Sequence, residues 1–363
     1  MRGTLRATVI LLSGLLSGEA ILAETPTFRG LGDLAGGGVY SAATDVSANG
    51  AVVVGSGASA VGTEAMRWSE SEGAQTLGLG TGSRAYGVSA DGSVTVGYGA
   101  GGGFLRDEGT GTVIRLGTHA YDVSGDGTVV AGYEWPNHGE QAFRWTQAGG
   151  VELLGYLPGG SVSRAWGISR DGTVVVGEAN GTLGWEAFRW DSGTGIVGLG
   201  SLPGGSHWSW ARDVSADGSV VVGESESAEG QQAFRWTSSS GMVALGDLPG
   251  GSVYSNAFAV SADGSIVLGT GRTAQGNEAF IWDASHGMRN LRGVLTAEYG
   301  LDLTGWTLTA AWGISDNLTT ITGTGKDPQG STAAWIAVIP EPGTLALVAL
   351  GLGALAVGRR TRP

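Results

Sequence analysis

Short apolar, β-rich runs alternate with glycine-rich polar turns along most of the chain, and the alternation recurs as a unit. The plainest unit, 199–245, opens with LGSLPGGS, continues as WARDVSADGSVVVGESESAEGQQAFRWT and ends in GMVALG. Its VSADG and SVVVG segments are two β-rich runs around Asp217-Gly218, the strongest short-range sign of a hairpin. Asp tolerates positive φ and Gly adopts it freely, so the pair predicts a tight turn and not a catalytic carboxylate. A third run, AFRW at 233–236, and a fourth at 242–245 complete four short strands, with no helix-length apolar pattern between them.

Seven times an alanine stands four residues before a serine that follows Val or Ile. The serines are Ser47, Ser89, Ser124, Ser169, Ser215, Ser261 and Ser315, at steps of 35 to 54 residues. Four strands repeated at a period near 45 are the pattern of propeller blades, so the chain is expected to be all-β, a seven-bladed β-propeller of four-stranded repeats. A lone fourth-strand motif, FRGLGDL at 28–34, precedes the first unit. The last unit stops after a second strand at 319–325 and a third at 333–338. These ends are complementary parts of one blade. Closure by the N-terminal strand would remove two exposed sheet edges.

Within the first strand of each unit, alternation of faces assigns Asp45, Asp122 and Asp213 to the side of the small residues, toward a narrow central channel. It assigns Tyr86, Tyr121, Trp166, Phe258 and Trp312 to the opposite side, packed between blades with the AFRW tryptophans. An insertion at 293–305 breaks the repeat; 294–299 suits one or two helical turns, or a plain spacer.

Composition narrows the function. With 41% hydrophobic residues and 13 tryptophans the chain can build a core despite 69 glycines. The absence of cysteine excludes disulfides, thiol catalysis and cysteine-ligated metals. The net charge is −13 and Lys326 is the one lysine, so no basic stripe exists to neutralise phosphates, and nucleic acid is excluded as a partner.

Both ends read as targeting segments. Residues 1–23 carry Arg2 and Arg6, an apolar stretch and then small residues, the pattern of a secretory signal peptide cleaved after Ala20 or Ala23. At the other end, Pro340-Glu341-Pro342 precedes an apolar run at 344–357 and the basic tail Arg359, Arg360 and Arg362. As a helix, that run spans only about 21 Å of a bilayer core roughly 30 Å thick, a marginal permanent anchor whose arginines would stay cytoplasmic. The tripartite segment 339–363 resembles the PEP-CTERM sorting signal of exopolysaccharide-producing Gram-negative bacteria. The resemblance implies an exosortase as partner, a short transmembrane helix held transiently in the inner membrane, loss of the tail, and delivery to the cell surface, outer envelope or extracellular matrix. The body, 27–338, resembles the bacterial extracellular HAF repeat family through its LPGG, VSADG and AFRW blocks. Gln141, Glu186, Gln232 and Glu278 stand where that family has histidine. No biochemical activity and no cofactor follow from either resemblance.

Candidate chemistry is sparse. His119 and His207 are the candidate general bases, each set against an ordinary surface or turn histidine. Glu224 and Glu226 could pair as in a glycosidase, but read as a solvated turn. Asp45, Asp122 and Asp213 are candidate oxygen ligands for Ca²⁺ in the channel, although the other four units have Gly or Ala there. Trp135, Trp185 and the pair Trp208 and Trp210 exceed what the repeat needs. The first two fall in expected turns, where exposed rings suit sugar faces or partner proteins. The expectation is an exported, non-enzymatic surface or exopolysaccharide-matrix protein that contacts polysaccharide or envelope proteins through these aromatics. A secreted polysaccharide hydrolase or lyase is the alternative, and a structural repeat without ligand is the third reading.

Overall fold

The computed structural model describes residues 25–117, 119–135 and 139–340. The segment expected to be a signal peptide, 1–23, together with Glu341, Pro342, the apolar run expected to form a C-terminal hydrophobic helix, and Arg359, Arg360 and Arg362 lie outside the described residues. Among the described residues no helix is long and apolar enough to cross a membrane. Seven four-stranded antiparallel sheets follow one another as blades at 41–76, 84–115, 119–153, 163–198, 209–244, 255–290 and 307–338. The seventh sheet has only three strands from its own unit. Its fourth is Thr27–Gly30, which pairs antiparallel with Thr332–Val338 and closes the ring.

Each repeated motif has a mechanical reason. Ser215 Oγ donates to Asp217 Oδ1 at 2.7 Å and accepts the buried Val220 N–H at 3.0 Å. The same arrangement holds the turn of every blade, with Asn49 and Asn317 replacing Asp in the first and last. Gly218 sits at φ 72°, and its equivalent in the last blade, Leu318 at φ 60°, is the one non-glycine residue with positive φ among those described. The Phe of AFRW lies fully buried across a second-strand glycine; a Cβ on Gly269 would meet Phe280 Cε1 at 2.7 Å. In the last unit Trp335 pairs with Gly323 as Phe280 does with Gly269, so a tryptophan fills the slot that Phe holds in the AFRW units.

The apolar cores lie between blades. Val220, Val222 and Leu245 of the fifth blade pack with Val260, Val267 and Phe280 of the sixth. Across the closure, Leu31, Leu34 and Ile336 meet Val46, Val53 and Met66 of the first blade. A serine at the start of the inner strand also laces neighbours. Ser255 Oγ accepts the Ala233 N–H at 3.0 Å, and Ser41 Oγ accepts that of Ala334 at 3.1 Å across the closure. The insertion forms the helix Leu291–Ala297, three residues earlier than the sequence suggested. Asn290 caps it by accepting the Gly293 N–H, and Leu291, Val294 and Leu295 are buried beneath the last two blades.

Candidate functional site

The inner strands run along a central channel, but their alternation is broken. In every blade the register slips between the alanine and the residue two positions on, as between Ala43 and Asp45 or Ala211 and Asp213. This β-bulge spends one residue without changing partner, so the residue between them turns toward the axis. The seven bulged side chains, Thr44, Tyr86, Tyr121, Trp166, Arg212, Phe258 and Trp312, line a cavity of about 150 Å³. The expectation that the aromatics pack between blades is therefore corrected: they face the channel together with the aspartates. Phe258 and Trp312 stack at 4.0 Å, and Tyr86 and Tyr121 at 4.8 Å.

Asp45, Asp122 and Asp213 do converge on the channel, as staples between blades. Asp45 accepts the Val46 N–H of its own strand at 2.7 Å and the Val88 N–H of the next blade at 2.8 Å. Asp122 holds Val123 and Ile168 in the same way, and Asp213 holds Val214 and Val260. Burial pushes Asp45 up to about 7 and Asp213 up to about 6, against the pull of those N–H groups. Burial, then the charges of Asp45 and Asp213, drive Asp122 well above the ordinary carboxylate range. Their counter-charge comes from Arg170, which crosses from the fourth blade to an ion pair with Asp316 of the seventh. The carboxylate oxygens that were candidate Ca²⁺ ligands here hold backbone N–H groups, and a guanidinium supplies positive charge beside them.

Arg170 and Asp316 belong to the ring of residues that follow the repeated serines. Backbone bonds run around much of that end of the channel: Ala48 N–H donates to Ala90, Ala90 to Gly125, Gly125 to Arg170, Ala216 to Ala262 and Asp316 to Ala48. The Arg170–Asp316 ion pair spans the same end. The opposite end is a mouth of rings and arginines.

At the mouth, His119 lies between Tyr98 at 4.6 Å and Tyr133 at 4.7 Å, with Trp135 edge-on at 5.8 Å. Burial holds the imidazole below its ordinary range, against Glu140, so it is neutral near pH 7. Arg164 lies over Trp185 at 5.3 Å and Tyr133 at 5.8 Å, and pairs with Glu140 and with Glu178, the latter at 2.8 Å. Arg212 lies over Trp210 at 4.7 Å and Trp166 at 5.5 Å, and pairs with Glu224 at 2.5 Å. Glu178 and Glu224 are 0% and 1% exposed, and burial raises both carboxyls against their arginines. Glu224 is thus a buried strand residue and not part of a solvated turn; Glu226, two residues on, is half-buried. Trp185 and Trp210 lie in strands, and Trp208 packs on Trp210 at 5.0 Å. Trp135 alone of the four is exposed, at 57%. His207 lies exposed in the loop beside Trp208.

Sequence reading missed Arg164, Arg212, Glu178 and the tyrosines of this mouth. A signal existed: the bulged position mixes Thr44 and Arg212 with aromatics, which a position packed between blades would not tolerate.

Residues 338–362 match the PEP-CTERM protein-sorting motif, which marks an exported, membrane-transiting protein of Gram-negative bacteria sorted through an exosortase. None of the curated proteins matches the chain in sequence. Among solved structures, an oligogalacturonate lyase from Vibrio parahaemolyticus is similar over 88% of this chain and 98% of its own, at 12% identity and a TM-score of 0.53. Hydrazine synthase from Kuenenia stuttgartiensis aligns over 88% of this chain and 98% of its own, at 12% identity and a TM-score of 0.47. TolB from Acinetobacter baumannii aligns over 69% of this chain at 15% identity and a TM-score of 0.46, and the chain spans 62% of that structure's length. At such identities the likeness is one of fold alone.

Proposed function

We propose that this protein is an exported, non-enzymatic component of the cell surface or exopolysaccharide matrix, an extracellular HAF-type repeat propeller that binds a neutral polysaccharide at its aromatic mouth. The observation that carries the reading is the cluster of rings and neutralised arginines at the mouth, which is backed by buried polar atoms without partners. Trp166 Nε1, Trp210 Nε1, His119 Nδ1, Glu178 Oε2 and Glu224 Oε2 are five of the twelve such side-chain atoms among the described residues, and all five belong to this mouth. Unpaired buried donors and acceptors are costly, so groups that both donate and accept are favoured beside them. Water and sugar hydroxyls do both. The rings supply the apolar faces on which a pyranose lies, with Tyr98 36% and Trp135 57% exposed. Arg164 and Arg212 are already neutralised by glutamates, which supports an uncharged sugar over an acidic one.

Glycan-array and calorimetric binding with the full-length protein in mild detergent test this. Trp135→Ala should weaken the affinity for a neutral glycan about tenfold, the loss of one exposed ring contact, and leave the melting temperature unchanged. No binding to any neutral glycan would sink the proposal. The raised carboxyls of Glu178 and Glu224 favour the second reading, a polysaccharide hydrolase or lyase. Release of reducing or unsaturated ends from a bound glycan would turn the assignment that way.

A further inference from the structure

The sorting segment does not start beyond the propeller; it starts inside it. Its match begins at residue 338. Val338 is the last residue of a strand paired on both sides, with Thr27 of the closing strand and with Thr320. The Ile339 N–H donates to Thr319 O at 2.7 Å, and the Ile339 side chain is 5% exposed in the core that holds Leu291, Leu295 and Trp335. Pro340, the first residue of the Pro-Glu-Pro motif, is itself buried. No spacer separates motif and body.

An enzyme that cleaves a peptide reads it as an extended chain, through backbone pairing and side-chain pockets. At Ile339 the backbone donor and the side chain are already committed to the last blade, and Pro340 brings no N–H of its own. Resting on the exosortase reading above, we infer that the closed ring withholds Pro340 from the processing enzyme, so tail removal competes with completion of the seventh blade. The enzyme engages the motif before Thr27–Gly30 docks on Thr332–Val338, or peels 339–340 off the finished blade. The closing strand begins within a few residues of the expected signal peptide, so export of that end, closure and sorting all act on one pair of strands. An early-sorted chain loses its tail quickly; a chain that closes first keeps it.

The test follows tail loss by intact mass after a pulse of synthesis in the producing cell, using the full chain. A six-residue Gly-Ser linker inserted between Ile339 and Pro340 leaves the blade intact and frees the motif; tail loss should accelerate about tenfold. In this cysteine-free chain, Thr27→Cys with Val338→Cys places two thiols on directly paired residues. Oxidation should lock the ring and slow tail loss about tenfold, and reductant should restore it. Equal rates for wild type and linker variant would overturn the competition while leaving sorting intact. Retention of the tail in both would instead overturn the sorting reading, and this inference with it. Replacing Pro340, Glu341 and Pro342 with alanine in the linker variant should abolish tail loss, which assigns it to the motif.

Discussion

Three aspartates and one arginine decide how this ring responds to pH. Asp45, Asp122 and Asp213 have carboxyls raised by burial, the first to about 7 and the last to about 6. In the unfolded chain they ionise near pH 4. Below that pH both states are protonated and no penalty exists. For Asp45 and Asp213 the unfolded chain loses its protons first between pH 4 and about 7, so stability falls as pH rises through that window, and Asp122 acts in the same sense. For Asp213 alone the difference is on the order of 3 kcal/mol. The aspartates of the Asp-Gly turns, such as Asp126 and Asp217, are lowered by hydrogen bonds and act in the opposite sense only below pH 4. Melting temperature should therefore be higher at pH 5 than at pH 8. Arg170→Met should steepen that decline, because Asp45, Asp122 and Asp213 lose their counter-charge. A melting temperature flat from pH 5 to 8 in both proteins would show that the staples carry no such cost.

At the scale of the element, the turn and the bulge make an instructive pair. The Ser-x-Asp-Gly turn was legible in sequence because each of its residues has one local duty that recurs at every blade. Removing the duty has a defined cost. Ser215→Ala leaves the buried Val220 N–H without an acceptor and should destabilise by about 1–3 kcal/mol. Gly218→Ala should cost more. Its φ of 72° is strained for any Cβ, and the new methyl would meet Val174 Cγ2 of the adjacent blade at 2.5 Å. Urea melts of the two variants check the order, and a smaller effect from the glycine would contradict the packing described here. The bulge, by contrast, left only an indirect trace, the mixture of Thr44 and Arg212 with aromatics at one strand position. Strict alternation is the rule for a strand, and the extra residue shows only when the register of Asp213 against Val222 is seen. From that one slip came the misplacement of Tyr121 and Trp166, and with it the failure to see that Arg212 reaches Glu224. Trp135 was read as exposed because its exposure follows from loop position alone; Glu224 was assigned to a solvated turn because its burial depends on Arg212 and a neighbouring blade. Local chemistry is written in the sequence, and chemistry shared between blades is not.

For the whole molecule, the ring is only as strong as the one sheet assembled from both ends of the chain. Thr27–Gly30 contributes a four-residue ladder, and Phe28 meets Trp306 edge-on at 5.3 Å and Trp335 at 6.0 Å. Leu31 and Leu34, each 4% exposed, then carry the chain into the interface between the seventh and first blades. Each fully buried leucine is worth about 1.5–3 kcal/mol, so the segment as a whole rivals the 5–15 kcal/mol that separates folded from unfolded domains. The pairing is also the longest-range contact in the chain, which places it late in folding. Leu34→Ala should therefore lower stability by about 2–5 kcal/mol while the protein stays monomeric. Deleting residues 27–36 should do something different in kind. Six blades retain every strand, so the β signature in circular dichroism should persist. The strand Thr332–Val338 then becomes a bare edge carrying Trp335 and Ile336, a template for pairing with another chain. The deletion protein should melt lower and aggregate with a concentration dependence that Leu34→Ala lacks. If it remained monomeric by light scattering at the melting temperature of the intact protein, the closing strand would be a passive appendage, and the first and sixth blades would have to hold the seventh unaided.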